Sequence, residues 1–537
     1  MEDRKKYLEE LLRKVHEAQR IYATFSQEQV DAVFHAGATA ATAERIALAK
    51  IAVEETGMGI VEDKVIKNHF ASEYVYNKYR HSKTCGVLED DPVNGYREVA
   101  EPLGIVAGIV PTTNPTSTAI FKALLCLKTR NGIVFSPHPR ARRSTFAAAE
   151  IIRQAAFRAG APEHIVACIE EPSKELTQAL MSHRLISLIL ATGGPDMVHA
   201  AYSSGTPAIG VGAGNTPVLI DATADIKMAV NSILLSKTFD NGMICASEQT
   251  VVVEESVADA VRREFILRGA YFTSEAETEA LAATLFINGN LNSAVVGQSA
   301  PAIAAMAGLT VPEETKVLIA ERGQIDASDP FAHEKLSPVL GFYRARDFAE
   351  AVRMGRELVF LGGAGHTSVL YTDETDSGHV AFFQDSMPTG RTLINMPASQ
   401  GAIGDVYNFR VPPSLTLGCG SWGGNSVSEN IGVKHLMNTK TIAARRENML
   451  WFRVPPKIYF KQGCLQPALE EFLGRRRAVI ITDSTMEKLG HVQSVLNVLD
   501  GMGVQFRIFA EVLPDPDLST ARRALEMVND FKPDMFI

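Results

Sequence analysis

One cysteine in this chain has a sequence context suited to nucleophilic chemistry. Residues 239–249 read FDNGMICASEQ, so Cys245 lies on a short glycine-containing segment just before the strand-like residues 250–253. A thiol held on such a turn can attack a carbonyl carbon, because its thiolate is a soft and reactive nucleophile. The alternative is structural, since most cysteines in intracellular proteins are small buried hydrophobes. The pattern therefore indicates either acyl transfer through Cys245 or a packing role.

A second segment contributes a polar side chain at the end of a predicted strand. Residues 104–117 read GIVAGIVPTTNPTS, which predicts a buried strand, a polar turn and a helix that begins near Thr116. Asn114 would then lie at the carboxyl end of the strand, where α/β sheets bind their ligands. The structural alternative for Asn114 is an Asx turn ahead of Pro115.

Alternating elements predict the architecture that positions these side chains. From residue 104 the strand patterns 104–110, 132–136, 164–168, 186–192, 207–212 and 216–221 are separated by helical patterns. This alternation is typical of an α/β fold with a doubly wound parallel sheet, which we expect to close with residues 207–212 and 216–221. A second α/β unit is expected from about 245 to 425, a linker at 441–454, and a partial α/β unit after it. The first twenty residues predict an amphipathic helix that docks through Tyr7, Leu11, Val15 and Ala18.

Composition excludes several classes of protein. The 537 residues are 46% hydrophobic and 21% charged, with a net charge of -9, which favours a globular enzyme over a nucleic-acid-binding protein. The six cysteines show no paired spacing, no CxxC motif and no zinc-type cluster, so a reducing compartment is expected. The charged first residues lack a signal-peptide core, and no apolar run reaches the ~18 residues of a membrane span. We therefore expect a cytoplasmic protein that binds neither nucleic acid nor membrane.

Together, the contexts of Cys245 and Asn114 resemble the aldehyde dehydrogenase superfamily. The likeness is narrowest to the CoA-acylating half of the bifunctional aldehyde-alcohol dehydrogenases, and it covers residues 1 to about 440. It implies an NAD-binding part at 1–244, a catalytic domain at 245–425, and a return segment with linker at 426–456. Residues 457–537 resemble the opening of the iron-dependent alcohol dehydrogenases.

The resemblance implies a reaction and a role for several residues. Cys245 attacks an aldehyde, NAD accepts the hydride, and the acyl-thioester passes to the thiol of CoA, so that acetyl-CoA and acetaldehyde are interconverted. Asn114 and the backbone N–H of Cys245 would form the oxyanion hole. Where hydrolytic relatives carry a glutamate that activates water, this chain has Val211. Because general-base help is commonly worth ~10²–10⁴-fold, its loss makes CoA the more plausible acyl acceptor.

A wider set of residues is expected to bind the cofactor. Glu334 matches the family's acidic residue that binds the nicotinamide ribose, although read alone it could be an exposed salt-bridging side chain. The full expected set comprises Ile109, Val110, Pro111, Thr112, Thr113, Asn114, Gly194, Gly212, Glu334 and Gly418. His366, in a glycine-rich turn, fits a proton-transfer role and a structural role equally well. Enzymes of this family usually bind the adenosine ribose through a lysine and often an acidic residue at this strand end. Residues 136–140 contain neither, so the preference for NAD over NADP rests on the resemblance.

The last part of the chain leads to a further expectation. The sequence stops before the glycine-rich turn and metal ligands of the iron-dependent family, and His491 is the only histidine after residue 456. We therefore expect no metal in this chain and no ethanol oxidation by its tail, because a catalytic metal needs about three protein ligands. The expected partners are a small aldehyde and acyl-CoA, with assembly into a homo-oligomer or a filament. Two alternatives stay open: another short aldehyde, such as propionaldehyde or succinate semialdehyde, or an assembly module with little turnover.

Overall fold

The structure is a computed structural model that describes residues 2–446 and 453–537. It divides into two compact units, Met1–Arg445 and Arg446–Ile537. Residues 447–452 of the expected linker 441–454 lie outside the described residues. Among the helices that are described, none is both long and apolar enough to cross a membrane.

Five helices and a hairpin precede the first sheet. The helices are α1 (Glu2–Tyr22), α2 (Gln27–Ala43), α3 (Arg45–Thr56), α4 (Val61–His69) and α5 (Val75–Tyr79), with a π-helical turn at Phe70–Tyr74, and the hairpin strands are β1 (Gly86–Asp91) and β2 (Tyr96–Pro102). The predicted N-terminal helix is present, but it buries Leu8 and Leu12 while Tyr7 is exposed. The expected buried face was therefore wrong at Tyr7. Val15 is buried as expected, and a Cβ added to Gly132 would lie 2.9 Å from Cγ1 of Val15, so the helix packs closely on the first sheet.

The first sheet has five parallel strands in the order β5-β4-β3-β6-β7. Its elements are β3 (Ile105–Val110), α6 (Pro115–Lys128), β4 (Gly132–Pro137), α7 (Arg142–Arg158), β5 (Val166–Cys168), α8 (Lys174–Met181), β6 (Ile186–Thr192), α9 (Pro195–Tyr202) and β7 (Ala208–Val211). The strand order reverses between β3 and β6, and a crevice opens at the carboxyl ends of the strands at such a switch point. The predicted α/β class with a doubly wound parallel sheet is confirmed.

The second sheet has seven parallel strands in the order β10-β13-β14-β9-β8-β15-β16. Its strands are β8 (Thr216–Ile220), β9 (Glu248–Glu254), β10 (Ala270–Phe272), β13 (Val317–Arg322), β14 (Val339–Ala345), β15 (Gly365–Tyr371) and β16 (Thr389–Ile394), with a small β11 (Phe286–Ile287) and β12 (Asn290–Leu291) hairpin alongside. Its helices are α10 (Ile226–Thr238), α11 (Glu255–Leu267), α12 (Glu275–Leu285), α13 (Ala300–Met306), α14 (Phe348–Phe360), α15 (Ser377–Ser386) and α16 (Ala398–Ile403).

Two expectations about strand placement were wrong. Residues 216–221 do not close the first sheet, because β8 pairs with β9 and β15 of the second sheet. Part of the expected linker is also regular structure, since β17 (Met437–Ala443) pairs antiparallel with β2 and extends the hairpin to three strands. Both errors concern pairing between segments far apart in the chain, which strand patterns alone do not determine.

The second unit is a small α/β layer. It comprises α17 (Leu465–Glu470), β18 (Arg477–Ile481), α18 (Ser484–Lys488), α19 (His491–Gly501), β19 (Gln505–Phe509), α20 (Leu518–Phe531) and β20 (Met535–Phe536). The three strands are parallel, with β18 between β19 and β20. Ala478 and Ile480 of the central strand pack against Val492 and Leu499 of α19 in one apolar cluster.

A buried asparagine ties together the start of β3, the end of α6 and the segment before β17. The Oδ1 atom of Asn131 accepts hydrogen bonds from the backbone N–H groups of Leu103 and Gly104, at 2.7 and 3.0 Å. Its Nδ2 atom donates to Thr129 Oγ1 and to the carbonyl of Leu436, at 2.8 and 2.7 Å. All four hydrogen-bonding positions of this fully buried amide are therefore used.

Substitution of that asparagine tests how much this junction contributes to stability. Asn131→Ala should lower the free energy of unfolding by about 2–4 kcal/mol, because it leaves buried backbone groups without partners. Denaturant titration of the purified chain measures the change. The matched control Asn438→Ala, at an exposed position on β17, should stay within about 0.5 kcal/mol of the parent. Equal stabilities of the two variants would contradict this role for Asn131.

Candidate active site

A cavity of about 540 Å³ lies between the carboxyl ends of the first sheet and the turn that enters β9. Its size is within the usual range for small-molecule and cofactor sites. The cavity brings together ten of the predicted site residues: Ile109, Val110, Pro111, Thr112, Thr113, Asn114, Gly194, Gly212, Cys245 and Glu334. His366 and Gly418, the other two predicted residues, are not among the residues that line it.

Cys245 lies on the turn that leads into β9 and faces this cavity. Its side chain is partly exposed, whereas four of the other five cysteines, all but Cys464, are buried. Burial raises the pKa of the Cys245 thiol to about 12, and the nearby Glu334 and Cys419 raise it further, while the Arg391 guanidinium opposes them. The thiol is therefore protonated near neutral pH, and a reaction at sulfur must include removal of this proton.

Three consecutive left-handed residues shape the turn before the cysteine. Asp240, Asn241 and Gly242 have φ angles of 49°, 52° and 76°. This backbone region is uncommon for residues other than glycine, and it costs each such residue of order 1–3 kcal/mol. At Gly242 a Cβ would lie 2.8 Å from the carbonyl oxygen of Ser337, so a side chain there would clash with backbone. Contacts to neighbouring segments must hold this conformation, and those of Asp240 are the most extensive.

Asn114 precedes α6 and directs its side-chain amide toward the cysteine turn. Its Nδ2 atom donates to the carbonyl of Met243 at 3.1 Å, two residues before Cys245. Its Oδ1 atom accepts a hydrogen bond from Lys67 Nζ at 2.6 Å. The Asx-turn alternative is not observed, because the Asn114 side chain makes no capping hydrogen bond at the start of α6. The amide N–H group therefore faces the side of the cavity where Cys245 lies.

Glu334 is partly buried and is hydrogen-bonded to the segment that lies behind Cys245. Its Oε1 atom accepts a hydrogen bond from the backbone N–H of Gly214 at 3.1 Å. Burial raises the pKa of this carboxyl to about 7, against the Gly214 hydrogen bond and the charges of Lys237 and Lys335. A Cβ on Gly214 would lie 1.8 Å from the carbonyl oxygen of Cys245, so only glycine permits this approach. Glu334 therefore does not read as an exposed salt-bridging residue.

His366 and Gly418 lie beneath the cavity wall, around a buried arginine. The guanidinium of Arg391 donates to the carbonyls of Gly365, His366 and Gly418, at 3.2, 3.1 and 2.7 Å. The His366 ring is fully buried, and its Nε2 atom has no hydrogen-bond partner among the described residues. Burial and then the charge of Arg391 lower the pKa of His366 well below its ordinary value, so the ring is neutral.

The opposite end of the cavity is formed by residues around the end of β4 and the start of α8. Ser136, His138, Ser173 and Lys174 line it, and Ser136 Oγ lies 2.7 Å from Thr177 Oγ1. Glu334 is the only carboxylate among the residues that line the cavity in the described chain. This end of the cavity therefore presents hydroxyl and basic groups. Val211, at the end of β7, also lines the cavity and presents an apolar side chain to it.

Two charged residues beside Cys245 and Asn114, Lys67 and Asp240, were not predicted from the sequence. Lys67, on α4, contacts Asn114 and the carbonyl of Met243, and Asp240 contacts Lys67. The i, i+3 spacing of Lys64 and Lys67 places both on one face of α4, which was the available signal. That face is buried, whereas a pair of lysines on a short helix ordinarily indicates a solvated surface.

Within residues 2–446 and 453–537, no group of three or more His, Cys, Asp and Glu side chains is arranged to hold a metal ion.

The raised pKa of Cys245 predicts an unusual pH profile for its alkylation. A thiol with a pKa of about 12 is protonated below that pH, so its thiolate fraction and its rate with iodoacetamide should rise roughly tenfold per pH unit from about pH 7 to about pH 10. Mass spectrometry of the Cys245 peptide measures the rate. In the denatured chain the alkylation rate of the same peptide should level off above about pH 9, near the ordinary thiol pKa. A plateau at or below neutral pH in the folded chain would contradict this assignment.

Two family profiles match the chain. That of the aldehyde dehydrogenase family matches residues 2–280, and that of the iron-containing alcohol dehydrogenases matches residues 455–537. The bifunctional aldehyde-alcohol dehydrogenase of Escherichia coli (strain K12) is 59% identical over 533 residues, covering 99% of this chain and 60% of that enzyme. The chain thus spans about 60% of the length of this relative.

Two further relatives match more than four fifths of this chain over nearly their whole length. The succinate-semialdehyde dehydrogenase (acetylating) of Clostridium kluyveri is 36% identical, over 87% of this chain and 99% of its own length. The crystal structure of an acetylating aldehyde dehydrogenase from Geobacillus thermoglucosidasius is 45% identical, with a TM-score of 0.81, and the match covers 83% of this chain and 98% of that one. The resemblance drawn from the Cys245 and Asn114 segments is confirmed. The chain belongs to the aldehyde dehydrogenase family.

Proposed function

We propose that this chain is a CoA-acylating acetaldehyde dehydrogenase, which interconverts acetaldehyde, NAD and CoA with acetyl-CoA and NADH through a thioester on Cys245. The observation that carries the proposal is the position of the Cys245 thiol and the Asn114 amide on one cavity at the switch point of the first sheet. The similarity to acetylating aldehyde dehydrogenases supports it.

Covalent chemistry begins at the sulfur of Cys245. The sulfur attacks the aldehyde carbon, and the resulting oxyanion is held by the Nδ2–H of Asn114 and the backbone N–H of Cys245. One such donor typically contributes ~3–4 kcal/mol in acyl transfer. Because the pKa of the free thiol is about 12, its proton must leave as sulfur attacks. Arg391 stabilises negative charge on the sulfur. The fully buried His366 ring, whose pKa lies well below its ordinary value and which does not line the cavity, is a weak base for this proton.

NAD is the proposed hydride acceptor, and the cavity fits a dinucleotide. Residues 109–114 of β3 and Gly194 after β6 border the crevice between the two strands where the sheet order reverses, which is where dinucleotides bind in such sheets. When bound, NAD takes the hydride that leaves the carbon attached to Cys245. Glu334 would accept hydrogen bonds from the ribose hydroxyls, and Gly212 lines the same cavity, whereas Gly418 does not.

CoA is the proposed acyl acceptor because the site offers little help to water. Val211 lines the cavity, and Glu334, the lining carboxylate noted above, is bonded to Gly214. A water molecule would therefore lack the general base that commonly supplies ~10²–10⁴-fold. A thiol is the stronger nucleophile and needs less activation. The proposed partners are accordingly acetaldehyde and acyl-CoA, and the proposed assembly is a homo-oligomer.

The first test is the dependence of turnover on CoA. With acetaldehyde and NAD, steady NADH formation should require CoA, because the thioester on Cys245 otherwise persists. Without CoA we expect one burst of NADH, stoichiometric with subunits, measured by absorbance after rapid mixing. Steady acetate production without CoA would overturn the proposal, and so would an absence of NADH formation with CoA present.

The second test removes the nucleophile. Cys245→Ser should lower kcat for CoA-dependent NADH formation by more than roughly a thousandfold while leaving NAD binding nearly unchanged, because an unactivated hydroxyl is a poor nucleophile. Steady-state kinetics and NAD titration followed by fluorescence provide the two measurements. The matched control Cys464→Ser, in the second unit, should keep the parental kcat. Substantial turnover by Cys245→Ser would show that another residue is the nucleophile.

A further inference from the structure

We propose that Lys67, held by Asp240, is the positioning residue that fixes the orientation of the Asn114 amide toward Cys245. The inference rests on the proposed function, because it assigns a role in stabilising the oxyanion formed there. It follows from one buried cluster that joins α4, the turn after β3 and the turn before Cys245.

The cluster is compact and almost entirely shielded from solvent. Lys67 Nζ donates to Asn114 Oδ1 at 2.6 Å, to Asp240 Oδ2 at 2.5 Å and to the carbonyl of Met243 at 3.2 Å. Lys67 is 4% exposed and Asp240 is fully buried. Three acceptors therefore use all three N–H bonds of one ammonium group, and two of them belong to the segment that carries the nucleophile.

The chemistry of the lysine determines which way the amide faces. An asparagine side chain can present either its oxygen or its nitrogen to a neighbour, and the two ends have nearly the same shape. An ammonium group only donates, so it accepts Oδ1 as its neighbour and repels Nδ2. With Oδ1 bound to Lys67, Nδ2 is the end of the amide left for the cysteine turn, where it donates to the carbonyl of Met243 at 3.1 Å, and it also donates to Thr113 Oγ1 at 3.3 Å. This is the end of the amide that an oxyanion requires.

Asp240 holds the lysine and the cysteine turn in one arrangement. Its Oδ2 atom also accepts from Lys64 Nζ at 3.0 Å, and its Oδ1 atom accepts from the backbone N–H of Ile60 at 2.8 Å. The Lys64 ammonium donates in addition to the carbonyl of Thr113 at 2.9 Å. The left-handed Asp240 is thus bonded to residues before and within α4. A carboxylate in this position balances buried positive charge, which would otherwise be costly.

A double-mutant cycle separates positioning from general structural support. Asn114→Ala should lower kcat by ~10²–10³-fold, as expected for loss of an oxyanion donor. Lys67→Met should lower kcat by roughly 10–100-fold with little change in KM for NAD, because the amide is free to turn. In the Asn114→Ala background, Lys67→Met should lower kcat by less than about a further threefold, since no amide remains to orient. Kinetics of CoA-dependent NADH formation measure all four proteins.

Two further variants keep the test decisive. Lys128→Met removes another buried lysine, at the far end of α6, which is paired with Asp31 of α2. This variant should keep the parental kcat. If Lys67→Met does not fold, Lys67→Gln replaces it in the cycle, because a glutamine amide can accept as well as donate and so no longer fixes the orientation. Its kcat should also fall by at least tenfold, on the scale of a lost oxyanion donor.

The outcomes distinguish this inference from the proposed function. If the wild-type chain shows no CoA-dependent turnover, the proposed function fails, and this inference fails with it. If the wild type is active but Lys67→Met keeps its kcat, the inference alone is overturned. It is also overturned if Lys67→Met lowers kcat by the same factor in the Asn114→Ala background as in the wild type, because the lysine would then act independently of the amide.

Discussion

The buried ion cluster around Asp240 is the constraint on which the rest of the site depends. Cys245, the proposed nucleophile, follows a turn with three left-handed residues, and the Asn114 amide that faces it follows a strand of a different sheet. Neither segment pairs with the other as a strand, so the register between them must come from side chains. Asp240 accepts from Lys64 and Lys67, and these lysines reach the backbone of Thr113 and the side chain of Asn114. Helix α4 thereby fastens the edge of the first sheet to the entrance of β9.

The two sheets divide the chemistry between them. The first supplies the crevice for a dinucleotide at its switch point, and the second supplies the cysteine turn with Glu334. The backbone segments between the two sheets lie so close together that a side chain does not fit at Gly214, where a Cβ would clash with the carbonyl of Cys245. Below the turn, Arg391 binds the carbonyl of Gly365 at the start of β15 and that of Gly418, and places a fixed positive charge near two thiols. Geometry and charge at Cys245 are thus set by the same buried groups.

Much of this arrangement could be predicted from the sequence. Alternating strand and helix patterns predicted the parallel sheets, and the contexts of Cys245 and Asn114 predicted two residues that the structure places on one cavity. Strand β8 was assigned to the wrong sheet, because its pairing with β9 and β15 depends on packing between distant segments of the chain. Lys67 was missed for a related reason. Its partner Asp240 lies 173 residues away in the chain, and nothing local distinguishes a lysine that will be buried beside a carboxylate from one that will be solvated.

Cys245 is proposed to carry the acyl group between the aldehyde and CoA. The most direct measurement is peptide mass spectrometry of the chain after mixing with acetyl-CoA in the absence of NADH, followed by quenching in acid. The account predicts one acetyl group on the peptide that contains Cys245, which disappears when NADH or free CoA is added before quenching. An unmodified Cys245 peptide, or an acetyl group on Cys419 instead, would contradict it.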